Sequence, residues 1–168
     1  MELFFDILLY ISFFVSIPLF IIGVKRFPSW VAKIDPAKCK SGKPIERYLE
    51  GRLLLQEGKI ALMVLPCAAV SILSTLLGST QQMGGDDGSL FGILLLLDFI
   101  ISVVGGLFLG RYFLKTAMKF GVYQKTNNSA TASVRTIGNL GIGMVICFYF
   151  SGIMMFTLWH LFCILGVG

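Results

Sequence analysis

Asp98 stands near the middle of the apolar run LLLLDFIISVVGGLFLGR, Leu94 to Arg111. A carboxyl group at that depth can bind or relay a proton or cation along a wet path. It can also stay neutral and hydrogen-bond to a neighbouring helix. Ser102, Gly106 and Gly110 follow Asp98 at intervals of four, with Gly105 beside them. Small residues at that spacing let two helices approach closely, so Asp98 is expected to point into a helix–helix contact and not at lipid. Partners for a relay are few. Asp6 and His160 are expected nearer the outer ends of their spans, and Ser71, Ser74 and Ser151 offer hydroxyls only.

A second set of charges sits outside the apolar runs. On a helical wheel Glu46, Glu50 and Glu57 fall within about 40° of one another, and Arg111, Lys115 and Lys119 recur every four residues. Counted outward from a turn near Met83-Gly84, Glu46 comes level with Lys119, Glu50 with Lys115, and Glu57 lies near Arg111. The expectation is a helical extension of the second and third spans laced by these pairs, each contributing about 0.2–1 kcal/mol if exposed. The alternative, three glutamates holding a divalent cation through oxygen, is opposed by the matched basic residues. No metal site is expected.

Cys39, Cys67, Cys147 and Cys163 lack CxxC spacing and are expected to be unpaired thiols, and His160 alone cannot build a metal centre. No phosphate loop, zinc spacing, haem-ligand pair or dinucleotide fingerprint is present. Neither a catalytic residue nor a cofactor is expected.

Positioning these groups requires helices that cross a membrane. Hydrophobic residues make up 56%, charged residues 14%, and mean hydropathy is +0.85; soluble domains carry roughly 25% charged residues. Runs near the length that spans a bilayer lie at about 3–24, 59–77, 89–110 and 138–167, with segments 25–58 and 111–137 between them. The fold class is therefore an all-α, four-span membrane domain over residues 1–168. Asp98 costs about 2.5–3.5 kcal/mol to insert. The fifteen Leu, Ile, Val and Phe residues from Leu90 to Leu109 outweigh it at about −0.3 kcal/mol each.

Local signals refine the elements. Pro44 suits the first position of a helix and Gly121 the position just past the end of one. Pro18 and Pro66 are expected to kink their spans, and Pro28–Pro44 reads as an irregular linker with Trp30 at headgroup level. The phenylalanine-rich first span, with Phe4, Phe5, Phe13, Phe14 and Phe20, is expected to face lipid at the periphery. LFIIGVKRF after Pro18 resembles LFLGRYF after Gly106, as a duplicated pair of spans would.

Charge gives the orientation. Of the 14 Lys and Arg residues, nine lie between Lys25 and Lys59 and five between Arg111 and Arg135. The positive-inside rule makes both basic segments cytoplasmic and leaves both termini and the Asp86-Asp87 loop outside, in a multi-pass cell-membrane protein. The net charge of +5 is then met by anionic lipid headgroups, at about 1 kcal/mol per basic residue near the surface, and not by nucleic acid. The chain begins Met1-Glu2 and keeps Asp6 in its first apolar turns, unlike a cleavable signal peptide. The first span is expected to be retained.

Three classes of function follow. The favoured one is a non-catalytic integral subunit, a scaffold or assembly component of a larger or self-assembled membrane complex, with copies of itself or other membrane subunits as partners. The alternative is a small oligomeric ion or proton channel or transporter with Asp98 near the path; four spans seldom enclose a pore alone. An intramembrane enzyme would need a second nucleophile or base at the depth of Asp98. The topology has a direct check at the acceptor pattern Asn127-Asn128-Ser129. Expressed through a glycosylating secretory membrane, the chain should carry no glycan at Asn127, and mass mapping that finds one reverses the orientation.

Overall fold

The computed structural model describes residues 2–39, 44–78, 88–122 and 129–165. The turn expected at Met83-Gly84 and the pattern at Asn127 lie outside the described residues. Four long helices make up the structure: α1 (Glu2–Val31), α2 (Ile45–Gly78), α3 (Gly88–Lys119) and α4 (Ser129–Leu165), with one 3-10 turn at Pro36–Lys38. All four are long and apolar enough to cross a membrane, and among the described residues there is no strand. The chain is an all-α bundle that fits an integral membrane protein.

Helix ends follow local chemistry. α2 starts immediately after Pro44, whose carbonyl accepts from Tyr48 N–H at 3.3 Å. α3 stops before Gly121, which takes φ 71°, a value that glycine adopts without a Cβ penalty. Gly121 N–H donates to Met118 and Val122 N–H to Ala117, both at 3.0 Å. That pair of reversed bonds satisfies carbonyls left open at a helix end, and Val122 is buried beside them.

α1 is longer than the sequence reading. It continues through Pro28 to Val31, where an irregular linker was expected. Proline deprives the carbonyl four residues earlier of its helical donor, and here that carbonyl, Val24, receives the hydroxyl of Tyr112 on α3 at 3.1 Å. A neighbouring helix thus supplies the missing bond, the condition for proline inside an apolar helix.

Successive helices run antiparallel. α3 packs chiefly on α4 and α1 chiefly on α2; α4 also meets α2 and α1, so it contacts all three others. α2 and α3 scarcely meet. The larger buried cluster lies at the end where Lys and Arg gather and joins Phe27, Leu53, Ile60, Phe113 and Ile146; the ring centres of Phe27 and Phe113 are 4.5 Å apart. A smaller cluster around Val64, Ala68 and Ile153 fills the middle. The first span is only partly peripheral. Phe4 and Phe14 are exposed, but Phe20 turns inward and stacks on Phe150 at 4.5 Å.

Tyr112→Phe keeps the ring and removes the donor to Val24. Leaving that carbonyl unpaired should lower stability by about 1–3 kcal/mol, measured as a lower midpoint in detergent unfolding. Tyr149→Phe serves as the comparison, and an unchanged midpoint for Tyr112→Phe would show that water or a shift of α1 replaces the bond.

Candidate functional site

The stripe that begins with Asp98 lies along the surface of α3 that faces α4. Gly106 and Gly110 are where the backbones come closest: a Cβ on Gly110 would meet Leu140 Cα at 2.7 Å and Asn139 O at 2.8 Å, and one on Gly106 would run into the backbone of Met144. A Cβ on Gly105 would meet the Cys147 sulfur at 3.3 Å. The approach is reciprocal, because a Cβ on Gly143 of α4 would strike Gly106 O and the Gly110 backbone. Sequence reasoning names only the α3 side of this contact and not Gly143. Its signal was spacing: Gly143, Cys147 and Ser151 recur every four residues, the interval of the α3 stripe they face.

Two turns further along, the same contact becomes polar. Asp98 and Ser102 are both buried, at 4% and 5% exposed. The Ser151 hydroxyl from α4 hydrogen-bonds to Asp98 Oδ1 and lies 3.0 Å from Ser102 Oγ and 2.8 Å from its own helix's Cys147 carbonyl. Ser102 donates to the Asp98 main-chain carbonyl at 2.6 Å. Two hydroxyl protons therefore face a carboxyl oxygen, two carbonyls and each other. The Ser151 hydroxyl donates across the contact to the Asp98 carboxyl, and Ser102 donates along α3 to the Asp98 main-chain carbonyl. Space beside the carboxyl is small, a cavity of about 20 Å³ lined mainly by Leu94, Leu95, Met155, Phe156 and Trp159. That is room for about one water.

The acidic and basic stripes are placed differently from the sequence reading. Among the described residues Glu57 forms no ion pair with Arg111. The reason lies in packing. The face of α2 that carries Glu57 also carries Leu53, Ile60 and Val64, all buried, and it turns toward α1 and α4, while α3 scarcely touches α2. Arg111, Lys115 and Lys119 are exposed, and α3 buries Phe113 and Ala117 instead. Glu57 is 1% exposed, and its Oε1 has no hydrogen-bond partner among the described residues. The three glutamates do not converge, and among the described residues no group of three or more His, Cys, Asp or Glu side chains could hold a metal ion.

A second polar contact joins α1 to α4 at the opposite end from the lysines. His160 Nε2 lies 2.7 Å from Asp6 Oδ1, and His160 Nδ1 lies 3.3 Å from Tyr10 OH, with the two rings edge to face at 5.8 Å. The sequence places Asp6 and His160 near the same membrane face but gives no sign that they touch. No disulfide forms among the described cysteines.

The chain matches no family model, no curated protein and no solved structure. Its site must be read from its own geometry.

That geometry makes close packing testable. Gly106→Ala forces a Cβ against the Met144 backbone and should destabilise by about 1–3 kcal/mol, the usual cost of overpacking. Gly152→Ala, also within a helix but with nothing within 4 Å of the new Cβ, should be neutral or slightly stabilising. Thermal unfolding of both variants in one detergent decides it, and equal behaviour refutes a tight α3–α4 contact.

Proposed function

We propose that this chain is a non-catalytic, multi-pass membrane subunit, a scaffold or assembly component of a larger or self-assembled membrane complex. One observation carries the reading: the intramembrane carboxyl of Asp98 is engaged inside a packed helix contact. Its Oδ1 meets the Ser151 hydroxyl, and the space beside it is a cavity of about 20 Å³ walled largely by apolar side chains. A relay needs a file of exchangeable groups or waters leading away from the carboxyl, and Ser102 and Ser151 instead close on main-chain carbonyls. As a hydrogen-bonded tie, Asp98 holds α3 to α4 where lipid cannot, since a polar group facing hydrocarbon must find a partner in a neighbouring helix. The proposed orientation puts the basic ends of the helices in the cytoplasm, following the distribution of Lys and Arg.

Native mass spectrometry of the chain, gently extracted from the membrane that makes it, tests the reading. The expected result is a complex with other subunits or with further copies, kept intact by Asp98→Asn, which preserves hydrogen bonding and cannot ionise. Asp98→Leu removes the carboxyl that ties α3 to α4 and should weaken the fold by about 1–3 kcal/mol. A monomer in every gentle extraction overturns the proposal. So does a closed homo-oligomer whose ion flux is abolished by Asp98→Asn, the result that assigns a channel.

A further inference from the structure

Where α1 ends, the 3-10 turn Pro36–Lys38 lies against the first part of α2, and a polar pocket of about 370 Å³ opens between them. Among the described residues Lys33, Lys38, Arg52 and Lys59 line it, together with a single acid, Asp35. Asp35 is already occupied, because its Oδ1 accepts the Ala37 N–H at 2.9 Å and caps the turn. Three net positive charges therefore surround one concave space.

Two of the cations are held in position. The Arg52 guanidinium sits 5.4 Å from the centre of the Tyr48 ring. The Lys59 ammonium sits 5.4 Å from the centre of the Trp30 ring and donates to Gln56 Oε1 at 2.6 Å. Cation–π contacts fix a charge without neutralising it, so both groups keep hydrogen-bond donors for a ligand. A guanidinium offers a planar fork that matches two oxygens of a phosphate, and lysines add point charges around it. The volume falls within the range of about 300–1,000 Å³ usual for small-ligand sites. Trp30 and Tyr48 add apolar ring faces for the carbon part of such a ligand.

We propose that this pocket binds a phosphomonoester, either the headgroup of a lipid such as phosphatidic acid or a soluble phosphorylated compound. A phosphomonoester carries about −1.5 to −2 charges and three acceptor oxygens at neutral pH, a closer match to three net positive charges than a carboxylate or a zwitterionic headgroup. The assignment does not depend on the assembly role, and neither outcome there decides it.

The purified chain in mild detergent is titrated with phosphatidic acid and, separately, with phosphatidylcholine, with bound lipid read by native mass spectrometry. Glycerol phosphate is titrated by calorimetry. Phosphatidic acid should be retained in preference to phosphatidylcholine, and Lys33→Gln with Arg52→Gln should weaken phosphomonoester binding by about tenfold or more. Arg111→Gln with Lys115→Gln removes two exposed charges from the same end of the molecule, outside the pocket, and should change binding less than about twofold. All the substituted residues are exposed; Arg52→Lys, which keeps the charge and loses the fork, should fall between the two. Preference for phosphatidic acid assigns the lipid headgroup, and binding of glycerol phosphate alone, with the same residue dependence, assigns a soluble ligand. Equal losses in the two double variants would assign diffuse surface charge and overturn the pocket, as would the absence of binding by either phosphomonoester.

Discussion

Helices α3 and α4 lie so close that neither Gly106 nor Gly110 has room for a side chain. In a bilayer this contact has to come from packing and polar bonds, because lipid tails are as apolar as leucine and give no hydrophobic drive for one helix to prefer another. Glycine permits the approach, and the approach in turn brings the Ser151 hydroxyl within reach of Asp98. With α4 fixed on α3 by one stripe, its other sides are available to α2 and α1. The buried carboxyl is thus a consequence of close packing and also a reason for it: moved to a lipid-facing position, Asp98 would lose its partners.

At the basic end the same constraint takes another form. α1 crosses Pro28 without breaking because Tyr112 completes the Val24 carbonyl, and that bond requires α3 to be helical and in register as far as Tyr112. Two turns later the reversed hydrogen bonds at Gly121 and Val122 end α3 and fold Val122 into the cluster that contains Phe27 and Phe113. A proline in one helix and a glycine after another are therefore linked through one aromatic cluster. The extra length of α1 beyond Val24 also brings Trp30 and the 3-10 turn beside α2, where the basic pocket forms.

What the sequence disclosed was local. The apolar runs, the helix start after Pro44, the stop before Gly121 and the small-residue stripe on α3 each depend on neighbours a few residues away. The facing stripe on α4 had the same four-residue interval, but Gly143 was hidden among other glycines near a span's end. The expected pairing of Glu57 with Arg111 is absent for a different reason. Counting outward from a turn assumes that consecutive helices are neighbours, and here α1 and α4 cover the face of α2 on which Glu57 lies. Contact between Tyr10 and His160, 150 positions apart, depends on which helices share a side of the bundle, which no local pattern encodes.

The polar contacts divide the helix pairs unevenly. Asp6 and Tyr10 reach His160 between α1 and α4. Asp98 meets Ser151 between α3 and α4, Tyr112 meets Val24 between α3 and α1, and Lys59 covers Trp30 between α2 and α1. Among the described residues no such contact joins α2 to α3, and these are the two helices that scarcely touch. α2 also meets α4, there through apolar packing of Val64 and Ala68 with Ile153. The position of α2 relative to α3 is set through α1 and α4, so the α3–α4 contact governs a helix pair that it does not include.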